Sequence, residues 1–142
     1  MRRLRALLYT LIASAAIITA TATLSSCEQS AKTLLEACSE EINTTCPVTC
    51  DVGLTLSYTI VEDDNFVYVY SASEDYIMGA RTPEAKMLIM NEVSTSARQD
   101  SNVKTMLKLC QKANVGIEYR YVDSYGNSSS IVINSYDIVD MI

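Results

Sequence analysis

The sequence predicts an α+β fold built around one antiparallel sheet. Two segments alternate apolar and polar residues with a period of two, as half-buried strands do. Two other segments repeat apolar residues every three or four positions, as amphipathic helices do. The predicted order is helix, β-hairpin, helix (whole or broken in two), β-hairpin. This order favours a four-stranded antiparallel sheet with the helices packed on one face.

The first predicted helix begins at Ala31 and ends before Pro47. Its apolar positions share one face and are Leu34, Leu35, Cys38 and Ile42. Asn43, Thr44 and Thr45 then weaken the pattern, and a proline two residues later stops it.

The first hairpin follows at residues 54–70. Strict alternation predicts that one face of its first strand carries Leu54, Leu56, Tyr58 and Ile60. Residues 62–65 form an acidic turn, and residues 66–70 return as the second strand. The turn lacks the twelve-residue ligand spacing of an EF-hand, so a solvated hairpin tip is favoured over a calcium site.

Residues 71–81 are predicted to be a polar connection. Thr82 and Pro83 then open a helix that weakens at residues 94–96, and Asp100 looks like a fresh N-cap. The second half carries an apolar stripe at helical spacing, made of Val103, Met106, Leu107 and Cys110. This stripe is typical of a core-facing helix.

The second hairpin closes the predicted domain. Residues 115–121 alternate, residues 124–127 form a turn, and residues 131–133 return as a strand. Ser135 then caps a last helical turn.

The first 26 residues have the pattern of an export signal. Arg2, Arg3 and Arg5 precede an uncharged run from Ala6 to Leu24, and small residues follow. The run is nearly long enough to span a bilayer, so an uncleaved transmembrane anchor is the alternative. Its Ala- and Thr-rich second half makes that alternative weaker.

The segment Leu24-Ser25-Ser26-Cys27 resembles the lipobox of bacterial lipoproteins. The resemblance implies cleavage before Cys27, which would then carry diacylglycerol and further acyl chains such as palmitate. Ordinary secretion after Thr21-Ala22-Thr23 is the alternative. The predicted organisation is therefore a signal peptide at 1–26, a lipidated tether at 27–30 and one α+β domain at 31–142.

Five cysteines are present, which is an odd number for an exported protein. Lipidation of Cys27 would leave four candidates for disulfides, namely Cys38, Cys46, Cys50 and Cys110. Of their three possible pairings, we favour one that contains a Cys46–Cys110 bridge. The CxxxC spacing of residues 46–50 is one residue too long for thioredoxin-like redox chemistry, and the four cysteines do not form the two close pairs of a Cys₄ zinc site. Buried free thiols are the remaining alternative, and Cys110 suits that role.

Composition narrows the function further. The chain has no His, and its eleven Lys and Arg against seventeen Asp and Glu give a formal charge of −6. Loss of the three N-terminal arginines would leave eight basic residues and a charge of −9. Such a protein repels nucleic acid, and it lacks the commonest general base and metal ligand. We therefore expect no metal and no cofactor.

No nucleophile elbow, phosphate-binding loop or dinucleotide fingerprint is present, so we expect no catalytic residues. A small hydrolase that uses carboxylates and tyrosines is the alternative, with carboxylates available at Glu40-Glu41, Asp63-Asp64 and Glu74-Asp75. Tyrosine suits binding surfaces, although cross-strand packing is its commoner role. Tyr68, Tyr70, Tyr119 and Tyr121 are therefore candidates for a surface that binds an envelope protein or a glycan.

The order of elements, the tyrosine-rich hairpins and the segment from Leu109 to Ile117 resemble small lipoproteins of the Bacteroidales type. That group has no assigned catalytic residue, so the resemblance implies none here. It implies a cell-envelope protein held to a membrane by lipid, in the outer membrane rather than the inner one. Which face of that membrane it occupies is left open, because residues 28–32 lack a run of acids. We expect a non-enzymatic binding or assembly module.

Overall fold

The structure is a computed structural model, and it describes residues 27–142. The predicted signal peptide and its transmembrane alternative lie outside the described residues. Within the described part, no helix combines the length and the apolar character needed to cross a membrane.

The described chain forms five helices and five strands. In chain order these are α1 Glu28–Thr45, β1 Val48–Asp51, β2 Leu54–Glu62, β3 Asn65–Ala72, α2 Glu74–Ala80, α3 Pro83–Gln99, α4 Ser101–Ala113, β4 Gly116–Val122, β5 Ser128–Ile133 and α5 Ser135–Val139. The strands form one sheet in the order β1-β2-β3-β4-β5.

The predicted α+β class is confirmed, but the sheet has five strands rather than four and is mixed rather than antiparallel. All neighbouring strands are antiparallel except β3 and β4, which are parallel. The reason lies in the connection between these two strands, which contains α2, α3 and α4 and returns the chain to the end where β3 began. The additional strand, β1, has only four residues and carries no periodicity from which it could be predicted.

The observed helices also begin and end at other residues than the predicted ones. Helix α1 begins at Glu28, so residues 28–30 are its first turn rather than a tether. Helix α2 lies within the predicted polar connection, where Tyr76, Ile77 and Ala80 are buried on one side. The weak point predicted at residues 94–96 is helical, and the break comes at Asp100, whose carboxylate caps α4 by accepting from the Asn102 amide.

A β-bulge in β2 overturns the predicted single apolar face of that strand. The register with β3 shifts between Leu56 and Tyr58, so one extra residue reverses the side on which every later residue points. Leu56 is therefore buried with the helices, whereas Tyr58 and Ile60 lie on the opposite face and are 45% and 39% exposed.

Thr59 takes the inward position after the bulge, and α1 provides its hydrogen-bond partners. Its backbone N–H donates to Oδ1 of Asn43 at 2.7 Å, and its carbonyl accepts from Nδ2 of the same side chain at 2.9 Å. Its hydroxyl lies 2.8 Å from that of Ser39. These bonds fix α1 along β2 and satisfy a polar residue inside the core.

The helices pack on one side of the sheet, as predicted, and this side is called the covered face. Its central strands contribute Phe66, Tyr68, Tyr70, Ile117, Tyr119 and Tyr121 to a core that all five helices share. The opposite side, called the open face, carries Tyr58, Ile60, Val67, Val69, Glu118 and Arg120. Val67 and Val69 are buried but do not belong to the shared core.

Candidate functional site

Cys27, the predicted lipidation site, is exposed at the N-terminus of α1. Its sulfur lies 2.9 Å from the Ser30 hydroxyl and accepts from the Ser30 backbone N–H at 3.4 Å. These hydrogen bonds lower the pKa of the Cys27 thiol, the side-chain bond more than the backbone bond. The thiolate therefore forms more easily here than on a cysteine without these hydrogen bonds.

The β2–β3 turn lies at the same end of the molecule as Cys27. Lys32, in the second turn of α1, forms an ion pair with Asp64 at 3.7 Å. The Asp64 carbonyl in turn accepts from the Gly116 N–H at the start of β4. A Cβ at Gly116 would approach Oδ1 of Asn65 and the Ile133 carbonyl to 2.6 Å, so only glycine allows this close approach. We call this region the anchor end.

A cavity of about 500 Å³ opens at the other end of the sheet. Three loops form it: the β1–β2 turn, the β3–α2 junction and the β4–β5 turn. Most of the residues that line it are polar. The full lining consists of Gly53, Thr55, Ser71, Ala72, Ser73, Glu74, Asp123, Ser124, Tyr125 and Asn127. We call it the distal cleft, because β3 runs the full distance between the two ends and its eight residues span about 26 Å.

Local hydrogen bonds hold the first two loops of the distal cleft together. The Ser73 N–H donates to the Gly53 carbonyl at 2.8 Å, and the Tyr76 hydroxyl donates to Asp51 Oδ2 at 3.0 Å. Gly53 adopts φ +77°, a left-handed conformation that strains other residues. The β1–β2 turn is therefore tied directly to the start of α2.

Asp123 holds the third loop. Its carboxylate accepts from the backbone N–H groups of Tyr125 and Asn127, both at 2.9 Å, and from Asn127 Nδ2 at 3.0 Å. Desolvation raises the pKa of the Asp123 carboxyl, but hydrogen bonds, first those from Asn127, outweigh this effect and the net shift is downward. The turn presents Tyr125 to solvent, where its side chain is 90% exposed.

The four tyrosines that are candidates for a binding surface are buried, so the binding-surface interpretation is wrong and the commoner role, cross-strand packing, is the one observed. Tyr68, Tyr70, Tyr119 and Tyr121 are each at most 1% exposed, because the helices cover the face on which they lie. The rings of Tyr68 and Tyr119 stack with centroids 5.5 Å apart, and those of Tyr70 and Tyr121 at 5.2 Å. They are cross-strand packing between the parallel strands β3 and β4.

The cysteines form no disulfide among residues 27–142, and the favoured Cys46–Cys110 bridge is absent there. Packing of α4 against α1 buries Cys110 in the same core as Cys38. Burial, with a smaller contribution from Cys38, raises the pKa of Cys110 to about 12. Desolvation, and to a smaller extent the nearby Cys50, raise the pKa of the Cys46 thiol. Cys110 is therefore a neighbour of Cys38, and Cys46 is a neighbour of Cys50.

The residues of the distal cleft were not identified from the sequence as a group. Each of the three loops does carry a turn signal, in residues 51–53, 71–73 and 123–127. Their convergence depends on the parallel pairing of β3 with β4, which places the ends of both strands at one edge. Across residues 27–142, no three His, Cys, Asp or Glu side chains are arranged to hold a metal ion.

No family model and no curated protein matches the sequence. Two solved structures share the fold. One is a protein from Pseudomonas aeruginosa provisionally assigned as secreted, with TM-score 0.59 and 10% identity over 80% of this chain and 98% of that one. The other is the pilotin EpsS of the type 2 secretion system of Vibrio vulnificus, with TM-score 0.53 and 12% identity over 78% of this chain and 94% of that one. At these identities the likeness is one of fold.

Proposed function

We propose that this chain is a lipid-anchored protein of the cell envelope that acts as a non-enzymatic binding module for another envelope protein. The observation that carries the proposal is the position of Cys27. The residue that matches the lipobox is exposed at the N-cap of α1, directly at one end of the folded domain.

The surroundings of Cys27 suit acylation. The Ser30 backbone N–H donates to the Cys27 sulfur, and this bond eases formation of the thiolate, which is the form that attacks a lipid donor. Because α1 starts at the next residue, lipid on this sulfur would hold the anchor end close to the bilayer. Two or three acyl chains are needed for stable attachment, since one chain binds only marginally.

Charge alone would not bring this domain to a membrane. Residues 27–142 contain eight basic and seventeen acidic side chains, so an anionic membrane surface repels them. An outer-membrane position follows from the resemblance to lipoproteins and is part of this proposal.

The proposed binding role draws on the fold and on the distal cleft. One structural neighbour is a pilotin of a secretion system, which is why we propose an envelope protein as the partner here. Of the two carboxylates that line the cleft, Asp123 has a lowered pKa and is engaged in its own turn. Both of its carboxylate oxygens already accept hydrogen bonds within that turn, and this favours a structural role for Asp123 over acid–base catalysis.

The anchor is tested by making Cys27→Ser in the full-length chain and separating membranes from soluble envelope contents. We expect the unmodified protein to remain with the membranes and the variant to become soluble. Cys46→Ser is the matched control, because it removes a partly buried thiol at the opposite end of α1 and should leave the protein with the membranes. Intact-mass analysis should show a mature N-terminus at Cys27 with added acyl mass.

Two results would contradict the proposed anchor. One is a Cys27→Ser protein that sediments with membranes as well as the unmodified protein does. The other is a mature protein that begins elsewhere or carries no acyl mass.

A further inference from the structure

The distal cleft combines a cavity of ligand size with accessible apolar groups. Its volume of about 500 Å³ lies within the usual range of roughly 300–1,000 Å³ for ligand pockets. Tyr125 lines it, and its side chain is 90% exposed. The cleft therefore offers apolar contacts beside its polar lining.

The charge of the cleft is negative and partly uncompensated. Asp123 lies near Arg81, which contributes to its lowered pKa, so its charge is partly balanced. Glu74, by contrast, is exposed and has no ion-pair partner within residues 27–142. A ligand that brings a positive charge to Glu74 would complete this site.

The polar groups of the cleft suit an extended peptide backbone. Thr55, Ser71, Ser73 and Ser124 supply hydroxyls that can donate and accept, and Ser73 does not use its side chain to cap α2. They line the same cavity as Glu74 and Tyr125.

We propose that the distal cleft binds a peptide segment of a partner protein in which a Lys or Arg lies next to an apolar residue. The cation would pair with Glu74, the apolar side chain would pack on Tyr125, and the hydroxyls would bind the backbone. This inference rests on the proposed function, which holds Cys27 at the membrane. The cleft then lies about 26 Å away, across the length of β3, and faces a partner in the aqueous compartment.

The test uses two labelled synthetic peptides, Gly-Leu-Lys-Leu-Lys-Gly and its counterpart with Glu in place of Lys, together with chitotriose as a glycan probe. Each probe is titrated into the acylated protein, which is expressed from the full-length chain and kept in detergent micelles. Each is also titrated into the Cys27→Ser protein. Amide chemical shifts locate the binding, and fluorescence anisotropy measures its affinity.

We expect the lysine peptide to shift the amides of Gly53, Ser73 and Asn127 in a saturable manner. Glu74→Gln should weaken its binding up to about fivefold, because one exposed ion pair contributes up to about 1 kcal/mol. Tyr125→Ala should weaken it to a similar extent. Asp63→Asn, which removes one negative charge at the anchor end, is the matched control and should leave the affinity unchanged.

Three results would overturn the proposed site: equal binding of the glutamate peptide, equal weakening by Asp63→Asn, or shifts of the cleft amides by chitotriose rather than by the lysine peptide. Binding by the Cys27→Ser protein should equal that of the acylated protein. Loss of peptide binding with an intact membrane anchor therefore rejects only the cleft. Peptide binding by an unmodified protein whose Cys27 carries no acyl mass rejects only the lipoprotein proposal.

Discussion

The two faces of the sheet use the same strands for different purposes. On the covered face, Tyr68 and Tyr119 stack in the core with almost no exposed surface. On the open face, the neighbouring residue Arg120 binds Glu118 and Glu62, each at 2.7 Å. The covered face thus carries a dry aromatic layer on β3 and β4, whereas the open face carries a partly hydrated ion network that joins β4 to β2.

This difference shows that alternation in a strand predicts two faces but not which one is buried. In β4, Ile117, Tyr119 and Tyr121 alternate with Glu118 and Arg120, and the apolar set faces the helices as expected. In β2 the bulge exchanges the faces halfway along the strand. Tyrosine therefore occurs on both faces, buried as Tyr119 and exposed as Tyr58.

The largest expected effect comes from truncating a tyrosine of the covered face. Tyr119→Ala should lower the free energy of unfolding by about 3–5 kcal/mol, because it leaves a large cavity in the core. Tyr58→Ala, the matched change on the open face, should lower it by less than about 1 kcal/mol. Urea denaturation of both variants measures the difference. Similar losses in the two variants would mean that the open face is also part of the core.

The second-largest expected effect is a loss of stability at alkaline pH, which ionises buried groups of the covered face. Burial raises the pKa of Cys110 from 9.0 to about 12 and raises that of Tyr119 above its ordinary value of 10.0. Because the folded state holds these protons more tightly, their contribution is fully present below about pH 9 and is lost as pH rises toward 12.

Urea titrations at pH 8, 9.5 and 11, at constant ionic strength, follow this loss. The fall in stability should be shallower in Cys110→Ala than in the unmodified protein, and Tyr58→Phe on the open face should leave it unchanged. An identical slope in the Cys110 variant would show that this thiol does not contribute.

The smallest effect concerns the buried hydroxyls of Tyr119 and Tyr121, which have no hydrogen-bond partner among the described residues. Tyr119→Phe and Tyr121→Phe should therefore be neutral or stabilise the protein by up to about 1 kcal/mol, since each removes a desolvated polar group. Tyr68→Phe is the control, because its hydroxyl contacts Met106 Sδ at 3.3 Å. Tyr68→Phe should destabilise the protein slightly. Thermal denaturation of the three variants measures these differences. A clear destabilisation by either of the first two changes would contradict this account.

The distal cleft and the tyrosines show where prediction from sequence failed for the candidate site. Strand periodicity identified the tyrosines of β3 and β4 but could not show that helices cover them. The sequence carries turn signals at residues 51–53 and 123–127. The two loops are 70 residues apart in the chain, however, and only the sheet brings them together. Side-chain exposure and loop convergence both depend on contacts between distant segments.

The sequence by itself determined the α+β class, the amphipathic helices α1 and α4 and the N-cap at Asp100, because each depends on residues close together in the chain. The lipobox-like segment before Cys27 is likewise a local pattern, and the export that it predicts stays a prediction. Only the tertiary structure decided the parallel pairing of β3 with β4, the added strand β1 and the face exchange in β2. It also decided that the tyrosines are buried and that the anchor end and the distal cleft lie at opposite ends of the sheet. These features depend on contacts between distant segments, and neither hydrophobic period nor turn chemistry encodes which segments will meet.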